Sequence, residues 1–240
     1  MSNSENDGWN ESAASWIASM GESGDFSRQF VLDAPMLARI KNRGFKSALD
    51  VGCGEGRFCR MLRDLEITTV GIDPTAALIA RARERDPAGD YRVCTAEEMD
   101  VLPASFDLVV SYLTLIDITD IAHAAERCVA ALRPGGTLLV ANLTSFATAN
   151  VNGWTTQADG RHRFHIDNYL DERAEWVEWR GIRIRNWHRP LSRYMSLFLD
   201  LGLILRRFEE PAPTGGDPEI VSRYRRVPYL YLMEWQKPPV

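Results

Sequence analysis

Leu49-Asp50-Val51-Gly52-Cys53-Gly54-Glu55-Gly56 decides the fold of this chain, because a short apolar strand runs directly into a turn with three glycines. Glycine lets the backbone approach a ligand more closely than any residue with a Cβ atom can. A helix is predicted next, since apolar residues recur at helical spacing at Phe58, Met61, Leu62 and Leu65. Strand, turn and helix together open a nucleotide-type α/β unit, and the turn is expected to hold a cofactor.

The spacing of the glycines restricts which cofactor that is. A dinucleotide fingerprint needs its third glycine three positions after the second, and this position is Arg57. A phosphate-binding P-loop is also missing, because no Gly-Lys-Ser/Thr follows the turn. The sequence therefore predicts a ligand without a pyrophosphate or triphosphate, and a nicotinamide-dependent oxidoreductase is disfavoured.

An acidic residue ends the next apolar run. Asp73 follows Thr69-Val70-Gly71-Ile72 and precedes Pro74 and a helix that contains Leu78 and Ile79. A carboxylate at the end of a strand beside a glycine turn can accept both hydroxyls of a ribose. The alternative is a helix N-cap, since Asp followed by Pro is a common helix start. With the glycine turn upstream, we favour the ribose.

At this point the chain resembles the class I S-adenosylmethionine-dependent methyltransferases. Ala48-Leu49-Asp50-Val51-Gly52-Cys53-Gly54-Glu55-Gly56 is similar to the first motif of that family, and Asp73 to its acidic second motif. Phe106-Asp107-Leu108-Val109-Val110-Ser111 resembles its fourth strand, and Leu132-Arg133-Pro134-Gly135-Gly136-Thr137-Leu138-Leu139-Val140 the turn and strand that follow. The resemblance implies S-adenosylmethionine as cofactor, S-adenosylhomocysteine as product, and a doubly wound, Rossmann-like, seven-stranded, mostly parallel sheet whose last strand is antiparallel.

The same resemblance assigns cofactor-binding roles to positions of this chain. The family often has Asp-Ala-Glu after its third strand, whereas this chain has Thr95-Ala96-Glu97, and a hydroxyl accepts hydrogen bonds less strongly than a carboxylate. Adenine is still expected there. The cofactor-binding residues that the motifs predict are Asp50, Gly52, Cys53, Gly54, Asp73, Pro74, Thr95, Ala96, Glu97 and Ser111.

We expect one domain over residues 1–240, because 240 residues with 45% hydrophobic content suit one well-buried core. Within it we expect an N-terminal helical lid (1–46), a cofactor-binding core (47–142), an insertion that covers the substrate (143–190) and a C-terminal helix and strands (191–240). Core strands are predicted near 47–51, 68–72, 91–94, 107–111 and 137–142. A β-hairpin over 175–185, a helix near 191–201 and strands near 203–208 and 227–235 follow.

The N-terminal segment is helical in character and carries several aromatic residues. It could close over the cofactor, with Trp16 packing on it and Arg28 pairing with its carboxylate. The alternative is that these aromatic residues only dock the helix to the core.

Methyl transfer is an in-line displacement, so a base is required only where the acceptor must lose a proton. We select His188, in the insertion, as that base, and the family resemblance implies that Tyr112 lies beside the methyl group. His165, Tyr169 and Arg189 are the predicted substrate ligands. The alternatives are a strand-end histidine bonded to backbone for His188 and a structural role for Tyr112.

The net charge and the hydropathy of the chain restrict the kinds of molecule that it is expected to bind. A net charge of −5 gives no support to nucleic-acid binding. No apolar run approaches the length of a membrane span, and the start, residues 1–11, has no signal-peptide core. We expect a cytoplasmic monomer or homodimer that acts on a small molecule on oxygen, nitrogen or carbon, without nucleic acid, membrane or metal. The alternative is a cofactor-binding module with a regulatory or interaction role and no methyl transfer.

Overall fold

A computed structural model describes residues 7–239, and the backbone alone at 151 and 152, so the first six residues of the polar start lie outside the described residues. The strands in this part of the chain are β1 (Ser47–Val51), β2 (Thr68–Asp73), β3 (Asp90–Val93), β4 (Phe106–Tyr112), β5 (Leu132–Leu143), β6 (Asn150–Thr156), β7 (His162–Ile166), β8 (Arg173–Trp179), β9 (Ile182–His188), β10 (Ile204–Glu209) and β11 (Leu230–Gln236).

Helices connect most of these strands. They are α1 (Trp9–Met20), α2 (Asp33–Ala38), α3 (Arg57–Arg63), α4 (Ala76–Arg85), α5 (Ile121–Ala131), α6 (Ser145–Thr148), α7 (Leu191–Asp200) and α8 (Pro218–Arg226), with a π-helical turn (Arg28–Leu32) before α2. Within residues 7–239 we find no helix with the length and apolar content that a membrane crossing requires.

Seven strands form one sheet in the order β10-β11-β5-β4-β1-β2-β3. Neighbours from β5 to β3 run parallel, whereas β11 is antiparallel to both β5 and β10. The predicted fold is therefore confirmed, including the antiparallel last strand. Because parallel strands share one carboxyl edge, the ends of β1, β2 and β4 meet where ligands bind in such folds.

Two local features differ from the sequence prediction. β5 begins at Leu132, five residues before the predicted start, and a register shift between Phe106 and Leu108 absorbs the intervening glycines. The insertion holds two hairpins, β6–β7 and β8–β9, where only the second was predicted. The first lacks clear alternation of apolar and polar residues, which is the signal that reveals a strand in a sequence.

Helices cover both faces of the seven-stranded sheet. On one face Val109 and Val140 pack with residues of α5 and α7, and on the other Leu108 and Leu139 pack with residues of α3 and the π-helical turn. This alternation follows from the two-residue period of a strand. With both faces buried, the carboxyl edge of the sheet is left as the place for a ligand.

Candidate functional site

The glycine turn, residues 52–56, joins β1 to α3. Gly52 has a φ of +73°, and a Cβ atom there would lie 2.2 Å from Cγ2 of Thr114 in the loop after β4. Gly54 has a φ of +55°, and a Cβ atom there would meet nothing within 4 Å. The turn thus packs tightly on one side and leaves open space at position 54, as a backbone cradle for a ligand requires.

Asp73, the last residue of β2, ties its strand to this turn. Gly54 N–H donates to Oδ2 of Asp73 at 2.9 Å, and Thr75 N–H donates to Oδ1 at 2.8 Å. The helix begins only at Ala76 with Thr75 at its N-cap, so the alternative that Asp73 caps the helix with Pro74 in its first turn is wrong. The Thr75 side chain also hydrogen-bonds this carboxylate, so three of its about four acceptor positions are used and one is left for a ligand hydroxyl.

Asp50 lies beneath the turn with a buried oxygen that has no partner. Its Oδ2 accepts from the Cys59 thiol at 3.3 Å, whereas Oδ1 has no hydrogen bond among the described residues. Burial, together with the nearby charge of Asp73, raises the pKa of Asp50 to about 7. An unpaired buried carboxylate oxygen is costly unless a donor arrives, so the site is built for a ligand that donates a hydrogen bond.

A cleft of about 1250 Å³ opens above these groups. This is slightly more than the roughly 300–1,000 Å³ of most small-molecule sites, so a cofactor and a second small molecule both have room. Eleven of the twelve predicted cofactor-binding residues line it, as does the predicted catalytic Tyr112: Trp16, Arg28, Asp50, Gly52, Cys53, Gly54, Asp73, Pro74, Thr95, Ala96, Glu97 and Tyr112.

Two predicted cofactor ligands differ from expectation in their surroundings. Thr95 lines the cleft, but its hydroxyl already accepts from Glu98 N–H at 3.1 Å, so its oxygen is partly used. Ser111 does not line the cleft: it lies inside the sheet, 1% exposed, beside Val51 and Val140. Tyr112, the next residue and the last of β4, lines the cleft in place of Ser111.

Arg28 crosses the cleft from the π-helical turn. Its guanidinium carbon lies 5.0 Å from the ring centroid of Trp16 and 5.7 Å from that of Tyr112. It also pairs with Asp25 at 3.0 Å. The predicted lid residues Trp16 and Arg28 are therefore brought together at one end of the cleft, with a cation held over two aromatic faces.

The Tyr112 hydroxyl is committed to a neighbouring carboxylate. It donates to Oδ1 of Asp33 at 2.8 Å, and Asp33 also pairs with Arg57. Burial, with the charge of Asp33, raises the pKa of Tyr112 above its usual range. Tyr112 therefore stays protonated at neutral pH, which suits a positioning group and does not suit a base.

His188 does not line the cleft and has both ring nitrogens bonded. Nε2 lies 2.9 Å from the carbonyl oxygen of Tyr169, which can only accept, so Nε2 carries the proton and Nδ1 accepts from the Thr148 hydroxyl at 2.7 Å. Burial lowers the pKa of His188, which is 2% exposed. This geometry matches the alternative of a strand-end histidine bonded to backbone and gives no support to the predicted base.

Arg189, a predicted substrate ligand, is used within the protein. Its guanidinium donates to the carbonyls of Leu115, Ile118 and Thr119 at 3.2, 2.8 and 3.0 Å. Only 2% of Arg189 is exposed, and Glu172 lies 3.6 Å away. The structure places Arg189 beside the loop after β4 and outside the cleft, where it holds that loop.

The other two predicted substrate ligands also lie away from the cleft. His165 Nε2 is 2.7 Å from the Thr155 hydroxyl, and His165 faces a separate concavity that Arg226 also lines. The Tyr169 hydroxyl accepts from Leu191 N–H at 3.3 Å. Both roles stay predictions without support from this geometry, because the insertion folds so that these side chains contact their own hairpins and α7.

Comparison with known proteins shows what the central part of the chain is similar to. Residues 49–140 match the family model described as a methyltransferase domain. The crystal structure of an S-adenosylmethionine-dependent methyltransferase from Mesorhizobium loti superposes with a TM-score of 0.79 over 90% of this chain and 100% of that one, at 24% identity. Residues 49–140 are thus similar to a methyltransferase domain, and the chain has the fold of the class I methyltransferases. S-adenosylmethionine is the cofactor of this kind of methyltransferase, and the predicted resemblance is confirmed.

Two curated relatives match parts of this chain. A ubiquinone biosynthesis O-methyltransferase from Bradyrhizobium sp. (strain ORS 278) is 40% identical over 111 residues, which cover 43% of this chain and 44% of that protein. Another with the same name, from Nitrobacter winogradskyi, is 34% identical over 149 residues, 57% of this chain and 56% of that protein. This chain thus spans about half the length of the curated relatives it matches.

Several residues that line the cleft escaped the sequence analysis. They come from the N-terminal segment, the start of α3, the loop after β4 and β9: Asp7, Trp9, Arg57, Asp117 and Arg185. Of these, Asp117 had a usable signal, because it follows a core strand whose carboxyl end faces the site. The others reach the cleft only through the packing of distant segments.

Proposed function

We propose that this chain transfers the methyl group of S-adenosylmethionine to a small-molecule acceptor. The observation that carries the proposal is the convergence of Asp50, Asp73 and the glycine turn on one cleft, with a buried carboxylate oxygen left unpaired. The alternative, a binding module without activity, shares these groups and differs only in turnover.

The residues present fit the cofactor. Asp73 would accept a ribose hydroxyl through its remaining acceptor position, and the free oxygen of Asp50 would accept from the amino group of the methionine part. The open backbone at Gly54 would lie under that part, and Arg28 would pair with its carboxylate. When bound, S-adenosylmethionine supplies a methyl group that its positive sulfur already activates.

The protein then has to position an acceptor and exclude water. α1 lies across the cleft: Ser12 Oγ exchanges two hydrogen bonds with the backbone of Arg183 in β9 at 2.9 and 3.0 Å. At the other end Arg85 of α4 donates to the Gly21 carbonyl at 3.1 Å. This roof supports the proposed lid, and release of either end would admit ligands.

Oxygen is the acceptor atom that we favour, since the relatives above are named as O-methyltransferases. A net charge of −5 supports a small molecule over a nucleic acid. We further propose that the protein acts in the cytoplasm as a monomer or homodimer.

Asp73→Ala tests the cofactor site, because it removes the carboxylate that would accept from the ribose. We expect the affinity for S-adenosylhomocysteine, measured by calorimetry, to fall by about 100-fold or more, as loss of paired charge-assisted bonds implies. Asp64→Ala, an exposed acid at the end of α3, is the matched control and should leave the affinity unchanged.

Turnover separates the two candidate functions. S-adenosylhomocysteine release is measured with S-adenosylmethionine and phenols (catechol, 3,4-dihydroxybenzoate), carboxylic acids, amines and thiols. Methylation of at least one acceptor supports the enzyme. Tight cofactor binding without transfer to any of them would favour the binding module, and equal affinities for the wild type and Asp73→Ala would contradict the site itself.

A further inference from the structure

The loop between β4 and α5, residues 113–120, is fixed by the insertion. Trp187 N–H donates to the Ile116 carbonyl at 2.6 Å, and Arg189 of the same segment donates to three further carbonyls of the loop. Arg185 Nη2 also donates to the Thr119 hydroxyl at 3.2 Å. Strand β9 and the residue after it therefore hold this loop at successive positions.

Asp117 is the one carboxyl of the loop that two covering segments orient. Asn186 of β9 donates its Nδ2–H to Oδ1 of Asp117 at 2.5 Å, and the Trp9 side chain of α1 also hydrogen-bonds this carboxyl. The residue lines the cleft and keeps partial exposure there. A carboxylate has about four acceptor positions, so two bonds leave capacity for a ligand.

The charged surroundings of Asp117 come from several elements. Burial raises its pKa well above the usual value, and the charges of Asp7 from the N-terminal segment and Asp73 from β2 act in the same direction. Arg185 of β9 lines the same cleft and brings a positive charge, and His123 of α5 also lines it. A carboxylate in such a place binds a proton more readily than one in water.

We propose that Asp117 is the general base of this methyltransferase, which takes the proton of a hydroxyl acceptor. This inference rests on the proposed function. As the acceptor oxygen forms its bond to the methyl carbon, the bond from that carbon to sulfur breaks and its electron pair stays on sulfur. The O–H proton passes to the Asp117 carboxylate and later to solvent, which leaves neutral S-adenosylhomocysteine and the methyl ether.

His188 and Tyr112, the two catalytic residues predicted from the sequence, are less suited to accept this proton. His188 has both nitrogens bonded outside the cleft, and Tyr112 donates its proton to Asp33. Asp117 combines a place in the cleft wall, a fixed orientation and free acceptor capacity.

Asp117→Asn is the direct test, because the amide is isosteric and its Oδ1 can still accept from Asn186. The kcat/KM for catechol is measured from pH 5 to 9. Phenolic hydroxyls ionise near pH 10, so a rise at lower pH reports an enzyme group. In the wild type we expect such a rise. Asp117→Asn should abolish it and lower the plateau by about 100-fold or more, the usual range for loss of a general base.

Two controls keep the result interpretable. S-adenosylhomocysteine should bind Asp117→Asn within about threefold of the wild type, which shows that the fold and cofactor site persist. Glu126→Gln, an exposed acid on α5, makes the same charge change and should leave the profile unchanged. Trp9→Phe removes a bond that lowers the pKa of Asp117, so the rise should move to higher pH.

Three results would overturn the inference while the proposed function stands: the same pH profile in Asp117→Asn, a loss of S-adenosylhomocysteine affinity above about tenfold in that variant, or methylation confined to acceptors other than hydroxyls. A wild type that binds the cofactor and methylates nothing would overturn the proposed function, and the base with it.

Discussion

The floor of the cleft and two residues of its cover, His188 and Arg189, differ in how their buried polar groups are paired. In the floor, formed by β1, the glycine turn and Asp73, two buried carboxyls lie close together and Oδ1 of Asp50 has no partner. In the cover, formed by α1 and the β8–β9 hairpin with Arg189, both nitrogens of His188 and the guanidinium of Arg189 are bonded to the protein.

This difference explains which predicted residues keep a place in the site. A buried polar group that the protein leaves unpaired lowers stability unless a ligand pairs with it, so it marks a binding position. A group whose hydrogen-bonding capacity is already filled stabilises the fold instead. Residue type alone favoured His188 and Arg189, whereas their partners assign them to the structure of the cover.

Asp50→Asn should give the largest effect on the floor. The pKa of Asp50 is raised to about 7, so its favourable contribution is present below the unfolded-state value near 4 and is lost as the pH rises through 7. The ligand-free wild type should therefore lose stability from pH 4 to 8. Asp50→Asn should remove this loss, with a gain on the order of 4 kcal/mol at pH 8. Urea unfolding at several pH values measures it.

Asp107→Asn is the contrasting variant, because Asp107 should change the stability with pH in the opposite direction to Asp50. Partial burial by itself would raise the pKa of Asp107. The hydrogen bonds from Lys46 N–H and Arg133 outweigh this effect, so the pKa of Asp107 is lowered. Its contribution is present above the unfolded-state value and is lost as the pH falls, so this variant should be destabilised at pH 8. The comparison breaks if Asp50→Ala, which has no side-chain oxygen, binds S-adenosylhomocysteine as tightly as the wild type, because the free oxygen of Asp50 then serves no ligand.

Arg189→Met tests the cover with a somewhat smaller effect. The change leaves the carbonyls of Leu115, Ile118 and Thr119 without their donor, and we expect a loss of about 2–3 kcal/mol in the free energy of unfolding. Hydrogen exchange should quicken in residues 113–120. Arg183→Met, in which an exposed guanidinium leaves the Trp176 ring, should cost less than about 1 kcal/mol. Similar losses in both variants would show that burial of Arg189 has no special role.

Ser12→Ala should give the smallest effect, confined to the attachment of α1. It removes the partner of the N–H and carbonyl of Arg183, which should weaken the attachment of α1 by about 1 kcal/mol. The dissociation rate of S-adenosylhomocysteine in stopped-flow experiments should rise about fivefold, because 1.4 kcal/mol corresponds to tenfold. Ser19→Ala, on the same helix without such a bond, is the control. An unchanged rate in Ser12→Ala would mean that this end of α1 does not restrain the ligand.

Much of the fold was predictable because its signals are local. The strand ending at Val51, the helix after it and the β8–β9 hairpin built on Gly181 follow from periodicity and turn residues within short windows. The β6–β7 hairpin was missed, since its sequence is polar and glycine-containing and is positioned by contacts such as Trp154 Nε1–H to the Tyr229 hydroxyl at 2.6 Å.

The sequence by itself determined the floor of this protein: the glycine turn and Asp73 lie within 25 residues, and the backbone path of one βαβ unit brings them together. Only the tertiary structure decided which side chains of the covering segments reach the cleft. Asp117 meets Asn186 across 69 residues of chain, and no local pattern encodes that contact. The physical reason is that short-range periodicity specifies an element and its buried face, while partners between elements depend on how the segments pack.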